Sequence, residues 1–238
     1  MLNRFSIYDF IAILFPGIFF LWALAFVVGA SRFEHAIPLS GGLADTSVLI
    51  VIGYVTGLLL QGISQLVTEK ILLSWWGGFP SARWLLPNDQ RFTEEYKTEL
   101  SALLLNKFSI LLQLDSTNSG SDGSALKRNQ EIFYRCYRAV EKLSDLPQTF
   151  NAQYGLFRSL LTTFVLLAVA CVWNLWSLYR LGLGFDSQTA ITLILFVLGG
   201  IVTYCRVTKR GEDFAKAVYD VFLANFGKQA SQRMLDRR

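Results

Sequence analysis

Two charged residues stand at the edges of long apolar blocks, where an ionisable group needs a reason to be. Asp9 opens the first block and Arg158 precedes the third. Charges at such a boundary pair with one another or reach for water and headgroups. One reading is therefore an ion pair between Asp9 and Arg158 that clamps two spans in one state. The other is that Asp9 favours its own helix N-terminus while Arg158 extends to lipid phosphate. Upstream of Arg158, positions Asn151, Tyr154, Gly155 and Arg158 fall on one helical face by their three- and four-residue spacing. With Arg83, which sits among aromatic residues, Asn151, Tyr154 and Arg158 form a candidate surface for a ligand, a phosphate or a partner. Structural packing is the competing reading.

Other chemistry is poorly supplied. The single histidine, His35, has neither a second histidine nor a cysteine pair to complete a zinc site. Gly77-Gly78 is not followed by the Gly-Lys-Ser/Thr of a phosphate-binding loop. No Ser-His-Asp set and no acidic pair within an apolar block offers itself. The expectation is a protein that is not an enzyme and uses no cofactor and no metal.

The elements that must position these residues follow from composition. Of 238 residues, 53% are hydrophobic and 17% charged, against about 25% charged for an ordinary soluble domain, and the mean hydropathy is +0.39. The apolar residues gather in four blocks: Phe10 to Ser31, Val48 to Val67, Leu160 to Tyr179, and Ala190 to Tyr204. A membrane-spanning helix needs about 20 such residues. The fold class expected is all-α: an integral membrane protein of four transmembrane helices. The first block is too long for the apolar part of a signal peptide, although Gly29-Ala30-Ser31 resembles a cleavage site.

Basic residues set the orientation. Arg32 and Arg180 alone fall between spans one and two or three and four, whereas the other 20 lie before the first span, in the middle segment or in the tail. Both termini and the middle segment are therefore expected in the cytoplasm, in a bacterial inner membrane. Cys136, Cys171 and Cys205 avoid the outer loops, so no disulfide is expected.

Four regions result: a first transmembrane hairpin over 8–67, a cytoplasmic helical segment over 68–150, a second transmembrane hairpin over 151–205 and a cytoplasmic tail helix over 206–238. In the segment, Phe92, Tyr96, Leu100, Leu103, Leu104, Phe108, Leu111 and Leu112 mark one face of a helix over Arg91 to Leu114. A polar linker, Asp115 to Ser124, leads to a second amphipathic helix from Ala125 to about Leu146, with Pro147 as its stop. Leu100, Leu104, Leu111, Phe133, Tyr137 and Val140 should be buried together. Two helices are a thin core, so the hairpin needs the tail helix, the extensions of the spans or a neighbouring subunit. In the tail, Phe214, Val218, Val221, Phe222 and Phe226 make another amphipathic face that should continue span four. Pro16-Gly17 should kink span one. Gly53 and Gly57, with Gly62, are candidate helix-packing residues of span two, either within the chain or as a seam between copies.

Four stretches taken together resemble a known group: Tyr8-Asp9-Phe10-Ile11-Ala12 with Pro16-Gly17; Gly77-Gly78-Phe79-Pro80-Ser81-Ala82-Arg83-Trp84-Leu85-Leu86; Asn151-Ala152-Gln153-Tyr154-Gly155-Leu156-Phe157-Arg158; and Phe214-Ala215-Lys216-Ala217-Val218-Tyr219. In order and spacing they resemble a group of bacterial four-span membrane proteins associated with anti-phage defence and related conflict systems. The resemblance implies no settled activity and carries over no catalytic residue. The function expected is a non-enzymatic membrane module that couples a cytoplasmic signal or partner to a membrane response. A small oligomeric channel or transporter subunit is the alternative. The partners expected are membrane lipids, further copies of the chain in a homo-oligomer and a cytoplasmic protein. The net charge of +4 is explained by basic residues facing anionic lipid, without nucleic acid.

Overall fold

The computed structural model describes residues 7–28, 43–112, 122–182 and 186–235. Among them every regular element is helical. In chain order these are α1 (Ile7–Val28), α2 (Leu43–Ile63), a π turn (Ser64–Thr68), α3 (Glu69–Trp76), α4 (Pro80–Arg83), α5 (Glu94–Phe108), α6 (Asp122–Val140), α7 (Leu146–Arg180) and α8 (Ser187–Leu235). Four stretches are long and apolar enough to cross a membrane: Phe10–Val28, Thr46–Leu72, Leu146–Arg180 and Ser187–Gly227. The chain divides into two units. The first comprises Met1–Ile71 and Ala152–Thr208, the second Leu72–Asn151 and Lys209–Arg238.

In the first unit, α1 and α2 meet backbone to backbone. A Cβ on Gly17 would stand 1.9 Å from the Gly53 carbonyl oxygen, and one on Gly57 would stand 2.0 Å from that of Ile13. No side chain fits at either place. Such approach lets peptide groups touch across the interface and is the usual reason for small residues spaced by four in apolar helices. Gly62 makes no such approach within the chain, because a Cβ there would meet nothing within 4 Å. Helix α1 remains a single element through Pro16. Aromatic rings also pack in this unit: Phe164 and Phe19 meet edge to face at 5.5 Å, and Phe164 lies across Gly199, where a Cβ would come within 2.7 Å of its ring.

Several polar side chains of this unit bond to backbone carbonyls. Thr162 Oγ1 donates to the Arg158 carbonyl at 3.1 Å and Thr163 Oγ1 to that of Ser159 at 3.0 Å. These bonds one turn back let a hydroxyl sit in apolar surroundings. Asn174 Nδ2 donates to the Val27 carbonyl at 3.2 Å, covering one of the carbonyls left open where α1 ends. Many large side chains point outward: Trp22 is 68% exposed, Leu59 64%, Trp173 71% and Val202 63%.

The second unit is built the other way. Leu100 and Leu104 of α5, Ile132, Cys136 and Val140 of α6, and Val218, Tyr219 and Phe222 of α8 are buried in one core with Trp84, Leu85 and Phe92. The partner of the hairpin is thus the tail, which forms one unbroken helix with the fourth apolar stretch, together with the segment around α4. Tyr219 Oη donates to the Ser81 carbonyl at 2.8 Å and Asn129 Nδ2 to the Ala82 carbonyl at 3.0 Å. Both side chains tie helices of the core to α4.

Several expected boundaries move. Thr93 caps α5, its Oγ1 accepting from the Tyr96 amide at 3.2 Å. At the other end Ser109 takes the left-handed conformation, with φ 56°, and the helix stops there. Beyond it helical spacing no longer applies, so Leu111 is 60% exposed and Leu112 is buried. Helix α6 ends at Val140, which leaves Leu143 exposed. Pro147 does not stop α6 but lies in the first turn of α7, where its missing N–H costs nothing.

Candidate functional site

Arg158 is the charged residue to explain. It lies inside the 35-residue α7 and is buried, at 7% exposure. Removing a guanidinium from water costs several kcal/mol unless its donors find oxygen. One donor does so beside α2: Arg158 Nε donates to Ser64 Oγ at 3.2 Å. Ser64 is wholly buried, and its own hydroxyl donates to the Gln61 carbonyl at 2.8 Å. The hydroxyl therefore relays Arg158 to the backbone of α2 at its last turn. Ser64 is also the first residue of the π turn. Arg158 further sits over the ring of Tyr154, its Cζ 5.4 Å from the centroid, an attraction that strengthens when water is excluded.

Tyr154 and Arg158 are thus brought together, as their spacing implies. The neighbouring Gln153 has its amide oxygen buried with no hydrogen-bond donor among the described residues. Gly155 does not mark a close approach, since a Cβ there would meet nothing within 4 Å. The side chain of Asp9 lies outside the described ones, and with it the Asp9–Arg158 pair. Asn151 is exposed and falls in the second unit.

Arg83 also belongs to the second unit, where it braces a turn. Its Nε contacts Asp89 Oδ2 at 3.3 Å, and the other oxygen of Asp89 accepts from the Arg91 amide at 2.9 Å. The same turn is held from beneath by Lys97. This ammonium is fully buried and donates to the carbonyls of Leu86 at 2.9 Å, Pro87 at 3.3 Å and Asp89 at 2.6 Å. Three carbonyl dipoles replace the water it loses. Sequence reasoning passed over Lys97, yet the signal was there. Three residues before Leu100, it stands on the apolar face of α5, where a lysine needs a buried partner.

Two titratable groups of this core, Cys136 and Tyr96, are held in their neutral forms. Burial pushes the Cys136 thiol up to about 12. Burial, and then the hydrogen bond to Asp220, raises Tyr96 above the ordinary phenol range, with Tyr96 Oη donating to Asp220 Oδ1 at 2.9 Å. A thiol so protonated is a poor nucleophile. No three His, Cys, Asp or Glu residues converge on a metal-sized site among the described residues. The arrangement around Arg158 can hold a charge and tie two helices.

Comparison with family models, with curated proteins and with solved structures finds no match to this chain.

Proposed function

We propose that the chain is a four-span protein of a bacterial inner membrane, with both termini and the second unit in the cytoplasm. On this reading it is a non-enzymatic module that couples a cytoplasmic signal or partner to a membrane response, as a component of anti-phage defence. The outward turn of Trp22, Leu59, Trp173 and Val202 supports the membrane, because a water-soluble surface rarely carries so large a continuous apolar area. The division of basic residues, Arg32 and Arg180 on one side and the rest on the other, supports the orientation.

The observation that carries coupling is continuity. Helices α7 and α8 each run without a break while their residues are divided between the two units. A change of packing around Phe222 or Tyr219 in the second unit therefore acts on a helix that also belongs to the first. Arg158, on α7, is the residue through which such a change would reach α2.

Reporter fusions test the topology: those at Gly41 and Gly184 should read as external, and those at Ser119 and Arg238 as cytoplasmic. A cytoplasmic reading at Gly41 would remove the four-span arrangement. The coupling reading is tested by expressing the protein in a bacterial host, challenging it with a panel of phages, and following plaque number and membrane potential. The parent should lower plaque number and depolarise the cell on infection, and Arg158→Gln should lose both effects while still reaching the membrane. If the parent alters neither with any phage, the defence role is wrong.

A further inference from the structure

The hairpin of the second unit buries one side of each helix and leaves the other open. Helix α5 lays Phe108 on Phe222 of the tail at 5.8 Å, and α6 sets Phe133 against Tyr219 at 5.7 Å. The open side of α5 carries Glu95, Glu99 and Leu105, all exposed. Lys107, the exposed base of that helix, is turned over the ring of Phe226. The open side of α6 is of the other sign. Lys127, Arg135 and Arg138 are exposed there with Tyr134, and Glu131 is the acidic residue among them. Among the described residues none of Glu95, Glu99, Lys127, Arg135 and Arg138 has an ion-pair partner.

We infer that these are the two halves of one contact between copies of the chain, the acidic side of α5 on one copy meeting the basic side of α6 on the next. Charge complementarity singles out the partner. A basic protein would satisfy α5 alone and an anionic surface α6 alone, whereas a second copy brings what both need. Each side also holds a large apolar residue, Leu105 at 49% exposure and Tyr134 at 53%. These supply a centre that excludes water, with the charges as its rim, as interfaces are ordinarily built. Exposed ion pairs are individually weak and are screened by salt. Their part is therefore to orient, because copies set like side to like side repel. The two sides lie on different helices, so the contact repeats from copy to copy until rotation closes it into a pair or a ring. It needs only that the second unit meets water, and it stands apart from the topology and the defence reading.

The test uses two differently tagged copies of the full chain expressed in one host. Membranes are extracted in mild detergent at low salt, and recovery of the second tag with the first is measured. Parent copies should co-purify, and failure to do so overturns the contact. Glu95→Lys with Glu99→Lys, made in both copies, should lower the recovery by about tenfold, and so should Arg135→Glu with Arg138→Glu. Recovery on recombination is the specific sign. A copy with its acidic side reversed should co-purify with a copy whose basic side is reversed. A chain carrying all four substitutions should again capture itself. Loss without recovery in either combination overturns the contact. So does a loss confined to Arg135→Glu with Arg138→Glu, the outcome expected if α6 meets anionic lipid instead.

A cross-link in native membranes decides the point where a charge variant fails to accumulate. Cys205, the exposed cysteine, is replaced by serine, while Cys136 and Cys171 are buried. One tagged copy then carries Glu99→Cys and the other Arg138→Cys, and a short bis-maleimide is added. The product holding both tags should form faster than from two Glu99→Cys copies or from two Arg138→Cys copies. Equal rates in the three pairings, or no product with both tags, overturn the contact.

Discussion

The two units bury opposite things. In the first, α1 and α2 press glycine against backbone at Gly17 and Gly57, and tryptophans such as Trp22 and Trp173 face outward. In the second, the aromatic rings are inside: Phe92 stacks on Tyr96 at 4.3 Å and meets Tyr219 edge-on at 5.7 Å. Water drives large apolar side chains inward, so a unit in water should look like the second. Where the surroundings are themselves apolar that drive disappears, and helices associate by close fit and hydrogen bonds instead. The difference is what two solvents would produce from one chain. It also explains why the first unit tolerates Ser64 and Arg158 inside while exposing leucine.

The sharpest break of that comparison is the same truncation made in both units. Phe222→Ala empties a fully buried site and should cost about 3–5 kcal/mol. Trp22→Ala removes a larger side chain that is 68% exposed and should leave the thermal midpoint in detergent nearly unchanged. If Trp22→Ala is as damaging as Phe222→Ala, something other than lipid covers that face, and the outward surface of the first unit has been misread.

Alanine for glycine comes next. Gly17→Ala and Gly57→Ala place a methyl group where a carbonyl stands 1.9 Å and 2.0 Å away, so α1 and α2 must separate. Overpacking of this kind costs about 1–3 kcal/mol. Gly62→Ala meets open space and should be neutral or slightly stabilising, since alanine is the better helix former by about 1 kcal/mol. The thermal midpoints of the three variants in one detergent check the ordering. Equal losses at Gly57 and Gly62 would mean that the close approach at Gly57 is not what its methyl group disturbs.

How much of this was legible depends on what each feature leaves in the sequence. The four apolar stretches are carried by their uninterrupted length, and the faces of α5, α6 and the tail by periodicity, which every turn of helix repeats. Ends are carried by single residues. Ser109 adopts a left-handed conformation with φ 56° that glycine or asparagine usually marks, and a serine there gave no warning that Leu111 would turn out. Pro147 was ambiguous in principle, because proline both ends helices and begins them. The site divides in the same way. Tyr154 and Arg158 share a face four residues apart, and the structure places them together. The π turn is invisible beforehand, because one surplus residue changes no residue type and only shifts phase. Lys97 was visible as a lysine on an apolar stripe, but its three carbonyl partners come from a loop whose shape no periodicity describes.

The smallest effect lies at the start of α8, where Asp186 caps the helix. Its Oδ1 accepts from the Gln188 amide at 3.1 Å, and its Oδ2 accepts from the Thr189 amide at 3.2 Å and from the Thr189 hydroxyl. An ionised carboxylate accepts these bonds better than a protonated one, so the hydroxyl of Thr189, against an opposing desolvation and helped by the two amides, holds Asp186 below its ordinary value of 3.8. The sign follows. A carboxyl whose affinity for protons is lower in the folded state stabilises fully above its unfolded value, and that stabilisation fades as pH falls through the lower folded value. The group is only half-buried, so the effect on global stability is slight and a local probe is needed. The amide proton resonances of Gln188 and Thr189 should titrate with a midpoint below 3.8. Thr189→Val, which removes the hydroxyl but keeps the amide, should move that midpoint up towards the ordinary value. In Asp186→Asn the titration should disappear from both amides. A midpoint at or above the ordinary value would show that the cap does not form, leaving the N-terminal turn of α8 to be held by packing alone.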